Sequence, residues 1–507
     1  MQLYDEIPYP LLTHSYTHPD RLAVVGKLMG LHPASPDSCT VLELGCGSGA
    51  NLIAMAELLP ESRFVGIDYS ARQIEEGRQI VAELGLENVD LRFADVLQLP
   101  DHAGDFDYVI AHGFYSWVPN PVREKALRLI KASLTPHGIA FISFNAYPGW
   151  HQLKALRDMM LYRARGIAGP VQQANVAREF ITLLAESQTE SSPFASFVRQ
   201  YHSSFQGRGP VPESQFVATL LHDELAGVND PFYFHEVVER AEAAGLQFLA
   251  EADLEGSTSI GLNSDVVSKL ASFAADSIDM EQYLDFIRNR GFRRTLFCHE
   301  EAPVARNLQA TRKAFEGLYL GSFATPERRK RGATGNSVRF VTPDDIAYST
   351  DQPVVQAAFR YLGKIHPGVV TFDDLYAEAS RTVRGDAPPP PREADALASV
   401  LLRNFFYSRS LVELYVAPRH VEARVSLRPR TSAFARFMAR SGAEKVANAR
   451  HEQVQLSEIA RALVPLLDGE HGLASLVAAG EAAAPGATRK QVEDELRWLA
   501  RVAMLVG

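Results

Sequence analysis

The chain has 507 residues, enough for two to four domains, and its 46% hydrophobic and 22% charged content excludes a disordered protein. A net charge of −10 gives no overall footprint for nucleic acid. Three scattered cysteines, Cys39, Cys46 and Cys298, make neither a disulfide framework nor a zinc site, and no run of about 20 apolar residues could span a bilayer. The acidic first six residues lack the basic-then-apolar order of a signal peptide, so a cytoplasmic protein without membrane insertion is expected.

Residues 1–36 read as an N-terminal arm broken by five prolines, with a helix over 21–30. A βα alternation follows. Strands are predicted at 40–44, 63–67, 89–94, 106–111 and 138–144, and helices at 50–59, 71–84 and 121–134. Apolar strands alternating with helices predict a parallel sheet covered on both faces. After Tyr147–Pro148–Gly149–Trp150 the pattern turns helical, with a helix at 234–245 and late strands at 246–250 and 293–298. Those two strands are expected to complete the sheet. Residues 151–230 and 253–290 then become helical insertions within a region 151–300, the alternative being a separate helical domain.

From 301 the composition shifts. Glu327–Arg328–Arg329–Lys330–Arg331–Gly332 is a basic loop, read as solvated. Helices at 354–365, 372–380 and 394–407, then a strand at 411–416, give the order of a winged-helix fold over 301–425. A stiff Pro388–Pro389–Pro390–Pro391 run separates the second and third helices. Residues 426–507 read as a helical domain. The third helix is rich in alanine and leucine, with few groove-facing donors, so protein contact is expected there and not DNA.

The chemistry concentrates around Val41–Leu42–Glu43–Leu44–Gly45–Cys46–Gly47–Ser48–Gly49. Gly45-x-Gly47-x-x-Ala50 satisfies a dinucleotide fingerprint, which alone permits NAD. The acids argue otherwise. Glu43 would repel a pyrophosphate but suits the ammonium and sulfonium of S-adenosylmethionine. Asp68 closes the second strand, where it can accept from ribose hydroxyls. Asp95 closes the third, where it can accept from an adenine amino group. A helix-capping role for Glu43 and Asp95 is the structural alternative.

Glu43–Leu44–Gly45–Cys46–Gly47–Ser48–Gly49, Gly66–Ile67–Asp68 and Ala94–Asp95–Val96 resemble the motifs of class I S-adenosylmethionine-dependent methyltransferases. Thr17–His18–Pro19–Asp20–Arg21–Leu22–Ala23, His112–Gly113–Phe114–Tyr115–Ser116–Trp117–Val118–Pro119, Asn229–Asp230–Pro231–Phe232–Tyr233–Phe234–His235–Glu236 and Asp285–Phe286–Ile287–Arg288–Asn289–Arg290 narrow this further. They resemble bacterial methyltransferases with a methyltransferase regulatory domain, whose best-understood members modify lysines of outer-membrane proteins. The resemblance covers residues 1–300 well and the rest loosely. It implies a Rossmann-like, mostly parallel seven-stranded sheet with helical insertions, a winged-helix-like C-terminal region, a protein substrate and a homodimer. The cofactor residues it implies are Glu43, Gly45, Cys46, Gly47, Gly49, Asp68, Tyr69, Asp95, Val96 and His112.

Methyl transfer needs a positioned nucleophile and little water. Tyr115 and Trp117, after the fourth strand, are expected to line an apolar pocket for an amine, with packing as the alternative role. Tyr16 is expected to close the arm over the site, beside His14 and His18. Asn145–Ala146–Tyr147–Pro148 resembles the Asn-Pro-Pro-Tyr motif of amide and base methyltransferases but follows the wrong strand, so it reads as a turn. His222, Asp223, His235 and Glu236 fit no metal-ligand spacing, and no metal is expected. A small-molecule methyltransferase and a cofactor-binding regulator without turnover remain the alternative functions.

Overall fold

In the computed structural model, residues 5–189, 192–206, 213–257, 262–306, 310–328, 335–388, 390–418, 421–484 and 486–507 are described. Residues 329–332 of the basic loop, and Pro389, lie outside them.

Helix α1 (Pro19–Leu28) leads into β1 (Thr40–Leu44), α2 (Ala50–Leu58), β2 (Arg63–Asp68), α3 (Ala71–Leu84), β3 (Val89–Phe93), β4 (Phe106–Ala111), α4 (Asn120–Ser133) and β5 (Leu134–Asn145). Helices α5 (Trp150–Ala164), α6 (Pro170–Glu186) and α7 (Pro193–Gln206) follow. Then come α8 (Phe234–Ala243), β6 (Leu246–Glu251), α9 (Ser277–Arg288) and β7 (Phe292–His299). The sheet order is β3-β2-β1-β4-β5-β7-β6, with β7 antiparallel to both neighbours. The two late strands therefore complete the sheet as expected. The order reverses between β1 and β4, which opens a crevice at their carboxyl ends.

Alternation along the strands fills two cores. Val41 and Phe141 face α1 and the 301–425 region; Leu42 and Ile142 face α4 and α8. Helices α5–α7 bury Leu156, Met160, Ile181 and Val198 in a separate core. The insertion thus has its own hydrophobic centre and lies in the chain between β5 and β6 of the sheet.

The 301–425 region contains α10 (Pro353–Ile365), α11 (Phe372–Arg384) and α12 (Glu393–Tyr407), followed by the strand Glu413–Tyr415. The chain ends with α13 (Ala433–Arg440), β8 (Lys445–Ala447), β9 (Gln453–Gln455), α14 (Glu458–Leu463), α15 (Leu473–Ala483) and α16 (Arg489–Arg501). The β8–β9 hairpin was not foreseen, because three-residue strands carry no readable period. Phe434, Met438, Val446 and Leu463 pack with Ala50, Ile53 and Ile80, so this domain sits directly on α2 and α3.

Two buried features fix the frame. Arg293, fully buried in β7, donates to Glu251 (2.8 Å), Asp285 (2.8 and 2.9 Å) and Glu281 (3.0 Å), which ties α9 to the sheet. Gly77 lets α3 lie on the glycine loop: a Cβ there would stand 2.2 Å from the Ser48 carbonyl oxygen. Gly77→Ala is expected to destabilise by about 1–3 kcal/mol, read as a lower thermal midpoint, because overpacking outweighs the roughly 1 kcal/mol gain in helix propensity.

Candidate active site

The crevice is built from the ends of β1, β2, β3 and β4. Glu43 projects from β1 and is 3% exposed. Its Oε1 accepts from Asn51 Nδ2 at 3.0 Å, while its Oε2 is enclosed without a hydrogen-bond partner among the described residues. A buried carboxylate oxygen with no donor is costly unless a ligand supplies one. Burial pushes this carboxyl up to about 8.

The loop that follows is shaped by conformation. Gly45 has φ +73°, and a Cβ on it would meet the Phe114 ring at 2.9 Å. Gly47 and Gly49 are also left-handed, and Gly47 N donates to Asp68 Oδ2 at 2.8 Å. Asp68 Oδ1 accepts from Ser70 N at 2.8 Å, so β2's terminal acid is locked to both flanking turns. Burial raises its carboxyl pKa. The Cys46 thiol lies beneath, its pKa raised well above normal by burial and then by Asp68 and Glu43. Tyr69 is exposed and stacks on Phe93, with ring centroids 6.0 Å apart. Asp95 Oδ1 accepts from Leu97 N at 2.9 Å and caps the short turn beginning at Val96, which is buried. The capping role foreseen for Asp95 is therefore present, and its second oxygen carries no described bond.

Across the crevice, the arm meets the end of β4. Tyr16 OH lies 3.0 Å from His14 Nδ1 and 3.2 Å from His112 Nε2. His112 Nδ1 lies 2.9 Å from Ser143 Oγ, which accepts from Gly113 N at 3.0 Å. The Arg294 guanidinium covers the Tyr16 ring at 4.1 Å and is paired with Asp253. Burial, then Arg294, lowers His14 to about 4; burial, then His14 and Arg294, lowers His112 well below the usual range. Burial raises Tyr16 to about 12. All three are neutral at pH 7, and the charge beside them, on Arg294, is paired with Asp253.

The structure separates the other expected residues. Tyr115 is 1% exposed, and its ring packs against Phe232 (5.5 Å) and Phe144 (6.3 Å) beneath Arg123. It belongs to the core cluster that holds Phe144 and Phe232, as the packing alternative foresaw. Trp117 is half-buried, and its Nε1 is enclosed with no partner among the described residues. Asn145 donates to Asn229 Oδ1 at 2.8 Å and receives no site role. His222 Nε2 contacts the Ile7 carbonyl at 2.7 Å, and His235 contacts Gln282. Among the described residues no group of three or more His, Cys, Asp or Glu side chains is arranged to hold a metal ion. Asn51, Ser143 and Arg294 were missed by sequence reasoning. A lone polar residue inside an apolar element, as in Ala50–Asn51–Leu52–Ile53 or Ile142–Ser143–Phe144, was the available signal.

Three family descriptions match this chain: "Methyltransferase domain" over residues 35–180, "Predicted methyltransferase regulatory domain" over 217–299, and "PKMT, C-terminal winged helix domain" over 428–488. The winged-helix match falls on the segment read from sequence as helical, where the β8–β9 hairpin forms. An uncharacterized protein of Rickettsia prowazekii is 29% identical over 488 residues, covering 94% of this chain and 85% of that protein. A second from the same organism is 35% identical over 254 residues, covering 48% of this chain and 96% of that protein. The structure of PKMT2 from Rickettsia typhi in complex with AdoHcy superposes with a TM-score of 0.85 at 26% identity, covering 99% of this chain and all of that one.

The unpartnered acid on β1, the left-handed glycine loop and the acids ending β2 and β3 fit a sulfonium cofactor with a free ammonium; the fold and site are those of a class I S-adenosylmethionine-dependent methyltransferase. More narrowly, the chain belongs to the bacterial methyltransferases that carry a methyltransferase regulatory domain. No helix of the described residues is long and apolar enough to cross a membrane.

Proposed function

We propose that this enzyme methylates lysine side chains of a protein substrate at the crevice beyond β4. The observation that carries the reading is the neutral, aromatic-lined wall of Tyr16, His14 and His112 facing the Glu43–Asp68 crevice. The resemblance to PKMT2 across nearly the whole chain supports it. S-adenosylmethionine, when bound, supplies a methyl group already activated by its sulfonium.

In this reading Glu43 Oε2 receives the cofactor's ammonium, Gly45, Cys46, Gly47 and Gly49 form the floor, and Asp68 takes the ribose hydroxyls. Asp95, Val96 and Tyr69 border the adenine. His112 flanks the methyl group, Tyr16 closes the arm over it, and Trp117 borders the amine's approach. A lysine amine must arrive neutral, and burial against a desolvating wall lowers its pKa. Tyr115 supports the turn from below. Residues 301–425, which share the core of the sheet, and 426–507, seated on α2 and α3, present the substrate. The working form is a cytoplasmic homodimer.

Incubation with methyl-labelled S-adenosylmethionine and bacterial extract should label protein bands, with methyl-lysine found on hydrolysis. Label confined to small molecules would favour the small-molecule alternative and overturn the protein-substrate reading.

A further inference from the structure

Asn51 makes contacts that a helix residue does not need. It sits in the first turn of α2 and is 4% exposed. Its Nδ2 donates to Glu43 Oε1 and to Thr17 Oγ1, both at 3.0 Å. Its Oδ1 accepts from His14 N at 3.0 Å and lies 2.7 Å from His451 Nε2. One amide therefore touches the cofactor-facing acid, the N-terminal arm and a residue 400 positions later.

His451 belongs to the turn between β8 and β9, the hairpin of the winged-helix segment. It is 2% exposed and has φ +63°, a conformation that costs a non-glycine residue free energy unless its surroundings hold it. The surroundings do hold it: His451 N donates to Asn448 O at 2.9 Å, and Asn448 Oδ1 accepts from Arg450 N and Glu452 N. Asn51 Oδ1 can only accept, so His451 Nε2 carries the proton and donates. The hairpin is anchored beside this point. Gln453 Nε2 donates to Thr13 Oγ1 at 2.8 Å, and Phe434 N donates to Glu57 Oε2 at 2.9 Å at the end of α2.

We infer that the tip of the β8–β9 hairpin is a working part of the cofactor site: His451 fixes Asn51, which fixes the Glu43 carboxylate that receives the cofactor's ammonium. The inference rests on the ammonium-binding role given to Glu43 above. His451 is a positioning residue and touches no reacting atom. The C-terminal domain is thereby coupled to cofactor occupancy, and the coupling is reciprocal.

The test uses the full chain, titrated by calorimetry with two ligands. S-adenosylhomocysteine carries the ammonium, whereas 5′-methylthioadenosine lacks the amino-acid portion entirely. His451→Gly removes the ring while suiting the left-handed turn, and His451→Gln keeps an N–H donor. His451→Gly is expected to weaken S-adenosylhomocysteine about five- to tenfold, the loss of one buried hydrogen bond, and to leave methylthioadenosine within about twofold. His451→Gln is expected to recover most of the loss. Unchanged S-adenosylhomocysteine affinity, equal losses for both ligands, or no recovery with Gln would each overturn the inference. The Glu43 role is tested separately by Glu43→Gln, whose lack of effect would defeat that reading and not the His451 contact.

Discussion

Glu43→Gln should bind S-adenosylhomocysteine about 10- to 100-fold more weakly than the native chain while keeping its fold. The substitution is nearly isosteric, and the amide oxygen can still accept from Asn51. What it removes, on the proposed role of Glu43, is the charge opposite the cofactor's ammonium, and a buried hydrogen bond to a charged group is worth about 1.5–3 kcal/mol. The pH dependence gives an independent signature. Burial holds the Glu43 proton up to about pH 8. A cation seated on this carboxyl favours its ionised form, so binding releases a proton. Affinity therefore rises with pH, by at most about tenfold per unit between about pH 5.5 and 7.5, and the slope flattens as the carboxyl ionises unaided. Calorimetry in buffers of different ionisation enthalpy should register the released proton. The Gln variant should show neither slope nor proton release, and a native chain with flat affinity across this range would refute the assignment.

The largest loss of stability is expected from Arg293→Met. Arg293 is fully enclosed, lies 3.8 Å over the Phe234 ring and bonds three carboxylates on β6 and α9. Arg290 reaches two of the same acids, Asp285 at 3.1 Å and Glu251 at 3.6 Å. Removing Arg293 strips a cation from all three buried acids and leaves Arg290 to serve Glu251 and Asp285. Breaking a buried pair in this way costs about 3–5 kcal/mol. The measurement is the urea midpoint or the soluble fraction on expression. Arg293→Lys should recover little, because one ammonium cannot reproduce the forked contacts to Asp285. A Met variant with the native midpoint would show that these acids take up protons at little cost.

The glycine-loop half of the candidate site was legible because it is local. Each strand end carries its acid within a few residues of a turn, so Glu43, Asp68 and Asp95 could be placed from spacing alone. The late strands were legible for the same reason, as short apolar runs beside a strong helix. The facing half was hidden because it is assembled from distant segments. Tyr16 meets His112 across 96 positions, Arg294 covers Tyr16 from β7, and His451 reaches Asn51 from the last domain. No period or motif encodes such meetings. Tyr115 shows the converse limit. Its position after β4 was correct, but the direction of a side chain leaving a strand depends on the turn, and here it leads into the core. Arg293 was placed on a strand without its charge being weighed. Glu281 and Asp285, four apart on one helix face, were the clue that an inward arginine had partners.

The sheet's topology also sets a schedule for synthesis. β5 is complete at Asn145, but its neighbour β7 does not begin until Phe292. At ordinary translation rates the ribosome needs on the order of ten seconds to deliver that partner. Throughout that interval the Ala140–Asn145 edge that β7 will cover has no strand to pair with. An apolar, unpaired strand edge is a template for association with other nascent chains. The segment made meanwhile, residues 150–225, buries a core of its own, which α5–α7 share with Val217, Leu220 and Leu221 and which includes no residue of β6 or β7. The insertion is thus the first part able to finish on its own, and the catalytic sheet, though begun earlier, closes only once β7 arrives.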